Sequence, residues 1–355
     1  MPPHTTPTAK KARRMSVSLS ILDLAPIAEG QTARESFEAS IALAQTAEKS
    51  GYLRVWYAEH HNMPTIASSA TSILIGHVAA HTSTIRLGAG GVMLPNHAPL
   101  TIAEQFGTLE SMFPGRIDLG LGRAPGSDQN TMRAMRRTPS SADTFPQDVL
   151  ELQGYLRGES VIPGVQAVPG AGTNVPLYIL GSSLFGASLA AALGLPYAFA
   201  SHFAPDALFE AVETYRRDFH PSEQLAEPYV IAGVNVIAAE DEADAVSQFE
   251  TTRRARVRGM ISRGPVAVDL GGASQPAPHY SDEEIDAFLT TPQGRQIANM
   301  MRYTAAGTPE TVRGFLDNFA ASVDADELII AHQSPLIADR LRSVELTAKV
   351  MLDGH

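Results

Sequence analysis

The side chains in this sequence that could do chemistry fall into a few short runs. Glu59-His60-His61, Pro95-Asn96-His97, His202 and His332-Gln333 supply imidazoles, each just after a short apolar segment. A neutral imidazole near pH 7 donates or accepts a proton readily. Taken singly, each of these histidines reads first as a structural residue; four such positions at one kind of place favour acid–base work by at least one of them. Asp23 occupies a similar position, and Arg123 is a cation fit for two-pronged contact with a phosphate. Gly181-Ser182-Ser183 ends an apolar run and opens a helical pattern, where free backbone N–H groups and the helix dipole favour an anion. That step reads equally as a phosphate site or as a serine N-cap.

Other motifs carry less. His60 and His61 are neighbours leaving an extended run, so they point to opposite sides and do not readily share a metal ion. His77 and His81 have i, i+4 spacing but lack the glutamate of an HExxH pair, and no metal site is expected. The run Gly120-Leu121-Gly122-Arg123-Ala124-Pro125-Gly126 has the wrong spacing for a dinucleotide fingerprint, and Pro125 interrupts it. No G-x-S-x-G elbow is present. Gly88-Ala89-Gly90-Gly91 lies inside a strand pattern, which means close approach either of a flat ligand or of packed barrel-interior groups.

The elements that position these residues alternate. Strand patterns cover residues 17–21, 54–58, 85–94, 117–122, 177–181, 197–201, 229–238 and 327–331, with amphipathic helical patterns between most of them. Gly51, Pro114-Gly115 and Gly194 stand where helices should stop, and Thr308-Pro309 reads as N-cap and N1. Eight strands interleaved with helices predict a parallel α/β protein, and eight is the number that closes a (β/α)8 TIM barrel. An open doubly wound sheet is the competing arrangement. In a barrel the runs named above all lie at the C-terminal ends of strands, where active sites form.

The chain has 355 residues, against about 250 in a common barrel. The surplus is assigned to an N-terminal tail, residues 1–15, and to insertions after strand four (124–143) and after the seventh helix (259–280), leaving residues 16–355 as one domain. The tail holds four cations and no acid; a disordered extension is favoured over a patch for an acidic partner. With a net charge of −11 the chain does not suit nucleic-acid backbone binding. No apolar run nears the roughly 18 residues of a membrane span, and no apolar signal core follows the start. Cysteine is absent, excluding disulfides, thiolate metal sites and a thiol nucleophile. A cytoplasmic location is expected.

Five blocks in order give the sequence its resemblance: Trp56-Tyr57-Ala58-Glu59-His60-His61, Gly88 to Pro95, Pro114 to Arg123, Leu180-Gly181-Ser182-Ser183, and Gly307-Thr308-Pro309-Glu310. From about Ser16 onward the chain resembles the luciferase-like monooxygenases, a flavin-dependent family. The resemblance implies a (β/α)8 barrel, usually dimeric, with FMN at the mouth. It implies His60 as the catalytic residue, and as cofactor-binding residues Glu59, Gly90-Gly91 against the flavin ring, often through a cis peptide, and Arg123 with Gly181-Ser182-Ser183 around the phosphate. His202 is expected near the substrate, and 259–280 matches the family's active-site cover. Gly122 stands where bacterial luciferase has a reactive cysteine, which removes support for aldehyde oxidation and light emission.

The expected reaction is oxygenation of a small organic substrate by FMNH2 and O2 through a flavin C4a-peroxide. With no NAD(P)H fingerprint, a separate flavin reductase is expected to supply FMNH2. Two other readings compete: hydride transfer by a deazaflavin on the same fold, and a flavin-binding protein without turnover.

Overall fold

A computed structural model describes residues 17–28, 30–124, 128–261 and 280–352. The tail lies outside the described residues, as do 262–279 of the second insertion. The first half of the chain alternates β1 (Ser18–Asp23), α1 (Ala33–Lys49), β2 (Arg54–Tyr57), α2 (Thr71–Ala79), β3 (Arg86–Met93), α3 (Pro99–Met112) and β4 (Ile117–Gly122). The insertion after β4 carries the short α4 (Gln129–Ala134), and α5 (Phe145–Arg157) follows. Then come β5 (Leu177–Gly181), α6 (Leu184–Leu193), β6 (Tyr197–Phe199), α7 (Leu208–Arg217), β7 (Val230–Ala238) and α8 (Glu242–Ile261). The remainder is α9 (Asp282–Leu289), α10 (Pro292–Asn299), β8 (Thr304–Gly307), α11 (Pro309–Val323), β9 (Glu327–His332) and α12 (Ile337–Met351).

All strand pairings within the sheet are parallel, in the order β6-β5-β4-β3-β2-β1-β9-β7, and β6 pairs back onto β7 to close an eight-stranded (β/α)8 barrel. The expected eight strands are these. The sequence reading lacked β8, which extends the edge of β7 beyond the point where β6 ends, pairing Asn235–Ala238 with Thr304–Gly307. Its four residues, Thr-Ala-Ala-Gly, are too few and too small to show an alternating pattern.

Local signals set the ends of elements as their chemistry dictates. Thr32 and Glu35 form a reciprocal capping box at the start of α1. Thr308 caps α11 through the Thr311 N–H, with Pro309 at the first helical position. Gly194 stops α6 in a left-handed conformation at φ 62°.

Inside the barrel the side chains form two layers. At the N-terminal end, Arg54 Nη1 donates to Asp118 Oδ2 (2.8 Å) and to the Tyr178 hydroxyl (2.7 Å), and its Nε lies 3.0 Å from Glu327 Oε1. Arg86 Nε donates to Asp118 Oδ1 (3.0 Å), Tyr229 donates to Glu327 (2.8 Å), and Ser20 also donates to Glu327. Burial opposes the charge on Arg54, but Glu327 and Asp118 raise its pKa above the ordinary value. Above this lies an apolar floor of Leu22, Trp56, Ala58, Tyr178, Ala198, Ile231 and Ile329. Trp56 joins the layers, its indole N–H donating to Asp118 (3.1 Å).

Candidate functional site at the barrel mouth

The C-terminal ends of β2 and β3 form one wall. Between Ala89 and Val92 the register of β3 against β4 slips by one residue, so Gly90 and Gly91 together oppose Gly120. The Gly90–Gly91 peptide is cis. A Cβ on Gly90 would lie 2.8 Å from Trp56 Cβ and 2.9 Å from Leu22 Cδ1, and one on Gly91 2.8 Å from the Gly120 carbonyl oxygen. Close packing against the floor therefore accounts for glycine at both positions. A flat ligand would meet a wall that is bare of side chains here.

Glu59 follows β2 and is almost wholly buried. Its backbone N–H donates to the Gly91 carbonyl (3.3 Å), tying β2 to the bulge. Its carboxylate accepts from His61 Nε2 (2.7 Å), His97 Nε2 (2.9 Å) and the Met93 N–H (3.1 Å). Burial opposes its charge, yet these bonds hold its pKa down at about 2, and Glu59 raises that of His61. One oxygen or nitrogen from each of Glu59, His61 and His97 falls within 4.8 Å of the others, so the trio could hold a divalent cation. At 2.7–2.9 Å the carboxylate–imidazole contacts have hydrogen-bond lengths, so the trio is complete without one. The alternation expected at His60-His61 holds: His61 turns to Glu59, while His60 lies near His202 on the other side.

His202 follows β6 and is 7% exposed. It packs so closely on β7 that a Cβ at Gly233 would sit 2.5 Å from its Nδ1, and its carbonyl accepts from Asn235 Nδ2 (2.7 Å). Burial, then the nearby Arg256 and His60, push its pKa down to about 3, so the ring is neutral at pH 7. Neither His202 Nδ1 nor Asn235 Oδ1 has a hydrogen-bond partner among the described residues. His332 does not join them. Its ring lies between β9 and the outer helices, with Nδ1 2.9 Å from the Ser343 hydroxyl on α12 and Nε2 3.4 Å from the Tyr52 hydroxyl. Three of the four histidine-bearing strand ends, not four, therefore place an imidazole at the mouth.

A second wall is formed by Arg123, after β4, and the start of α6. The Arg123 guanidinium carbon stands 4.2 Å from the centre of the Phe185 ring, and its Nε donates to the Ala142 carbonyl (3.2 Å). Ser183 is the N-cap of α6, yet its hydroxyl makes no capping bond. The first turn of α6 thus keeps its free N–H groups beside a cation, with Ser182 and Ser183 adjoining. Gly181 lies against Gly186, its would-be Cβ 3.7 Å from the Gly186 Cα, and so brings strand and helix together.

Residues 17–325 match the sequence profile described as luciferase-like monooxygenase. The chain belongs to the luciferase-like monooxygenase family. It is 48% identical to the protein named luciferase-like monooxygenase in Escherichia coli K12, over 94% of this chain and 97% of that one. It is 35% identical to the N-acetyl-S-alkylcysteine monooxygenase of Bacillus subtilis, over 95% and 98%. Among solved structures it resembles apo-MsnO8, with a TM-score of 0.81 and 36% identity over 94% and 98% of the two chains. More distant likenesses share only the fold: the FMN complex of the oxygenating constituent of 3,6-diketocamphane monooxygenase of Pseudomonas putida (TM-score 0.68, 15%, over 96% and 99%) and the coenzyme F420-dependent tetrahydromethanopterin reductase of Methanopyrus kandleri (0.65, 19%, over 96% and 99%).

Chains that share this fold thus differ in cofactor, and the mouth must be read on its own residues. Two groups at this site escaped the sequence reading. His97 was placed at a strand end but not linked to Glu59, because a contact across 38 residues leaves no local pattern. Arg256 sits on α8, which the sequence reading assigns no role; its place in a run of four arginines, at 253, 254, 256 and 258, is the available signal.

Proposed function

We propose that this chain is an FMN-dependent monooxygenase that takes FMNH2 from a separate reductase and oxygenates a small organic substrate with O2. The observation that carries the reading is the pairing of Arg123 with the uncapped start of α6, which fits a phosphate at the edge of the mouth. The relatives named as monooxygenases favour FMN over a deazaflavin.

When bound, reduced FMN supplies the electrons that activate oxygen for transfer to the substrate. Arg123, Ser182 and Ser183 hold the phosphate. Gly90 and Gly91 offer the flat wall, braced from behind by Glu59. The floor of Leu22, Trp56 and Ile231 keeps water from entering from below. His60 holds or moves a proton at an imidazole nitrogen, and neutral His202 faces the substrate. A homodimer is part of the proposal, brought by the family resemblance.

Anaerobic titration with FMNH2 and with a reduced deazaflavin tests the choice of cofactor. Tight FMNH2 binding that weakens in Arg123→Ala is the expected result; tight deazaflavin binding with none for FMNH2 would refute the proposal. Replacement of His60 by alanine should lower turnover about 10²–10⁴-fold while FMN still binds.

A further inference from the structure

The four arginines of α8 are not equivalent. Arg253 pairs with Glu250, Arg254 donates to Asp286 through Nε (2.9 Å) and Nη2 (2.6 Å), and Arg258 Nη2 donates to Asp282 (2.6 Å). Among the described residues Arg256 has no acid partner and its buried Nη1 has no hydrogen-bond partner. The helix presents Arg256 toward the barrel: Thr252, one turn earlier on the same face, donates to the carbonyl of Gln333 just after β9 (2.8 Å). Beyond it, Arg256 lies close enough to His202 to bear on the charge of that ring, as does His60. His202 adds an unpartnered Nδ1 in a side chain more than nine-tenths buried.

A guanidinium that is partly buried and answered by no described acid is costly to hold unless an anion joins it. The phosphate already has Arg123 and the start of α6, on the β4–β5 side of the mouth, whereas Arg256 stands over β6 and β7. We infer that Arg256 is a specificity-determining residue, receiving the carboxylate of an organic-acid substrate between His60 and His202. The inference rests on the proposed monooxygenase reading and deepens it, since it names the class of substrate.

The test uses the full chain loaded with oxidised FMN and needs no turnover. Benzoate and N-acetylmethionine are titrated against their neutral partners, benzamide and N-acetylmethionine amide, following the flavin absorbance and the fluorescence of Trp56, the sole tryptophan. Each acid should bind more tightly than its amide. Arg256→Gln should weaken binding of the acids by about 10–100-fold and leave the amides unchanged. Arg256→Lys should keep most of the preference, which guards against a folding defect. Equal binding of acid and amide, no saturable binding of either acid, or unchanged acid affinity in Arg256→Gln would overturn the inference. So would a loss of FMN affinity of the same size in Arg256→Gln, because the cation would then serve the flavin. Acid-selective binding without oxygenation would instead count against the monooxygenase reading and leave the anion site standing.

Discussion

At the N-terminal end of the barrel, Arg54 and Arg86 face Asp118 and Glu327 beneath an apolar floor, and the acids also accept from Trp56, Tyr229 and Ser20. At the other end of the same strands, His202 Nδ1, Asn235 Oδ1 and Arg256 Nη1 are buried without hydrogen-bond partners among the described residues. The first arrangement balances two cations with two anions: Arg54 Nε makes no formal hydrogen bond, but it lies 3.0 Å from Glu327 Oε1, so its charge is answered within the protein. The second leaves an amide acceptor, an imidazole nitrogen and a cation whose charge no described acid answers. Polar burial alone therefore does not mark a functional site; a cation left without an answering acid beside other open polar groups is the feature that sets the mouth apart from the paired end.

Several substitutions would sharpen or break that contrast. The largest effect is expected at the paired end: Arg54→Ala strands Asp118 and Glu327 and should cost about 3–5 kcal/mol in denaturant unfolding. A loss below about 1 kcal/mol would mean that the network contributes little. At the open end, Arg123→Ala should weaken FMN binding by about 10–100-fold, read by fluorescence titration, with little change in stability.

A smaller effect comes from pH. The ordinary histidine value of 6.5 falls to about 3 in both His202 and His332. Between these values the unfolded chain binds protons that the folded chain does not. Stability should therefore be fully present above pH 6.5 and fall as the pH drops toward 3. Glu59, held down at about 2, adds to the loss only below about pH 4.5, so the range from 6.5 to 4.5 reports mainly on the histidines. Raised His61 opposes them in sign, contributing stability that is lost as pH rises through its folded value. Unfolding free energies for His332→Asn should show a slope shallower by about one proton in that range. An unchanged slope would put the titration elsewhere. The smallest effect belongs to the outer face of α8, where Arg254→Ala should cost about 0–1 kcal/mol despite its two bonds to Asp286.

Much of this was legible in the sequence. Alternating apolar runs and helix stops such as Gly194 and Thr308-Pro309 are local, so the barrel and most of its boundaries followed from them. The mouth residues were legible as strand ends because the fold fixes where strand ends go. What was not legible depends on direction and distance. His332 leaves a strand like the others, but its ring turns toward Tyr52 and Ser343. Arg54, Asp118 and Glu327 are charges inside apolar strands, a signal of inward pairing that can be recognised only once the strands are set side by side. Arg256 required knowing that the face of α8 carrying Thr252 and Arg256 turns toward the strand ends at Gln333 and His202.

The central claim is that the open end of the barrel is completed by reduced FMN and manages its reaction with oxygen. The most direct measurement loads the chain with FMNH2 without oxygen, mixes it with O2 in a stopped-flow spectrometer, and compares flavin reoxidation with that of free FMNH2 and of His60→Ala. The account predicts that bound flavin reoxidises through a distinct slower course that His60→Ala alters. Reoxidation identical to free FMNH2, in wild type and variant alike, would contradict it.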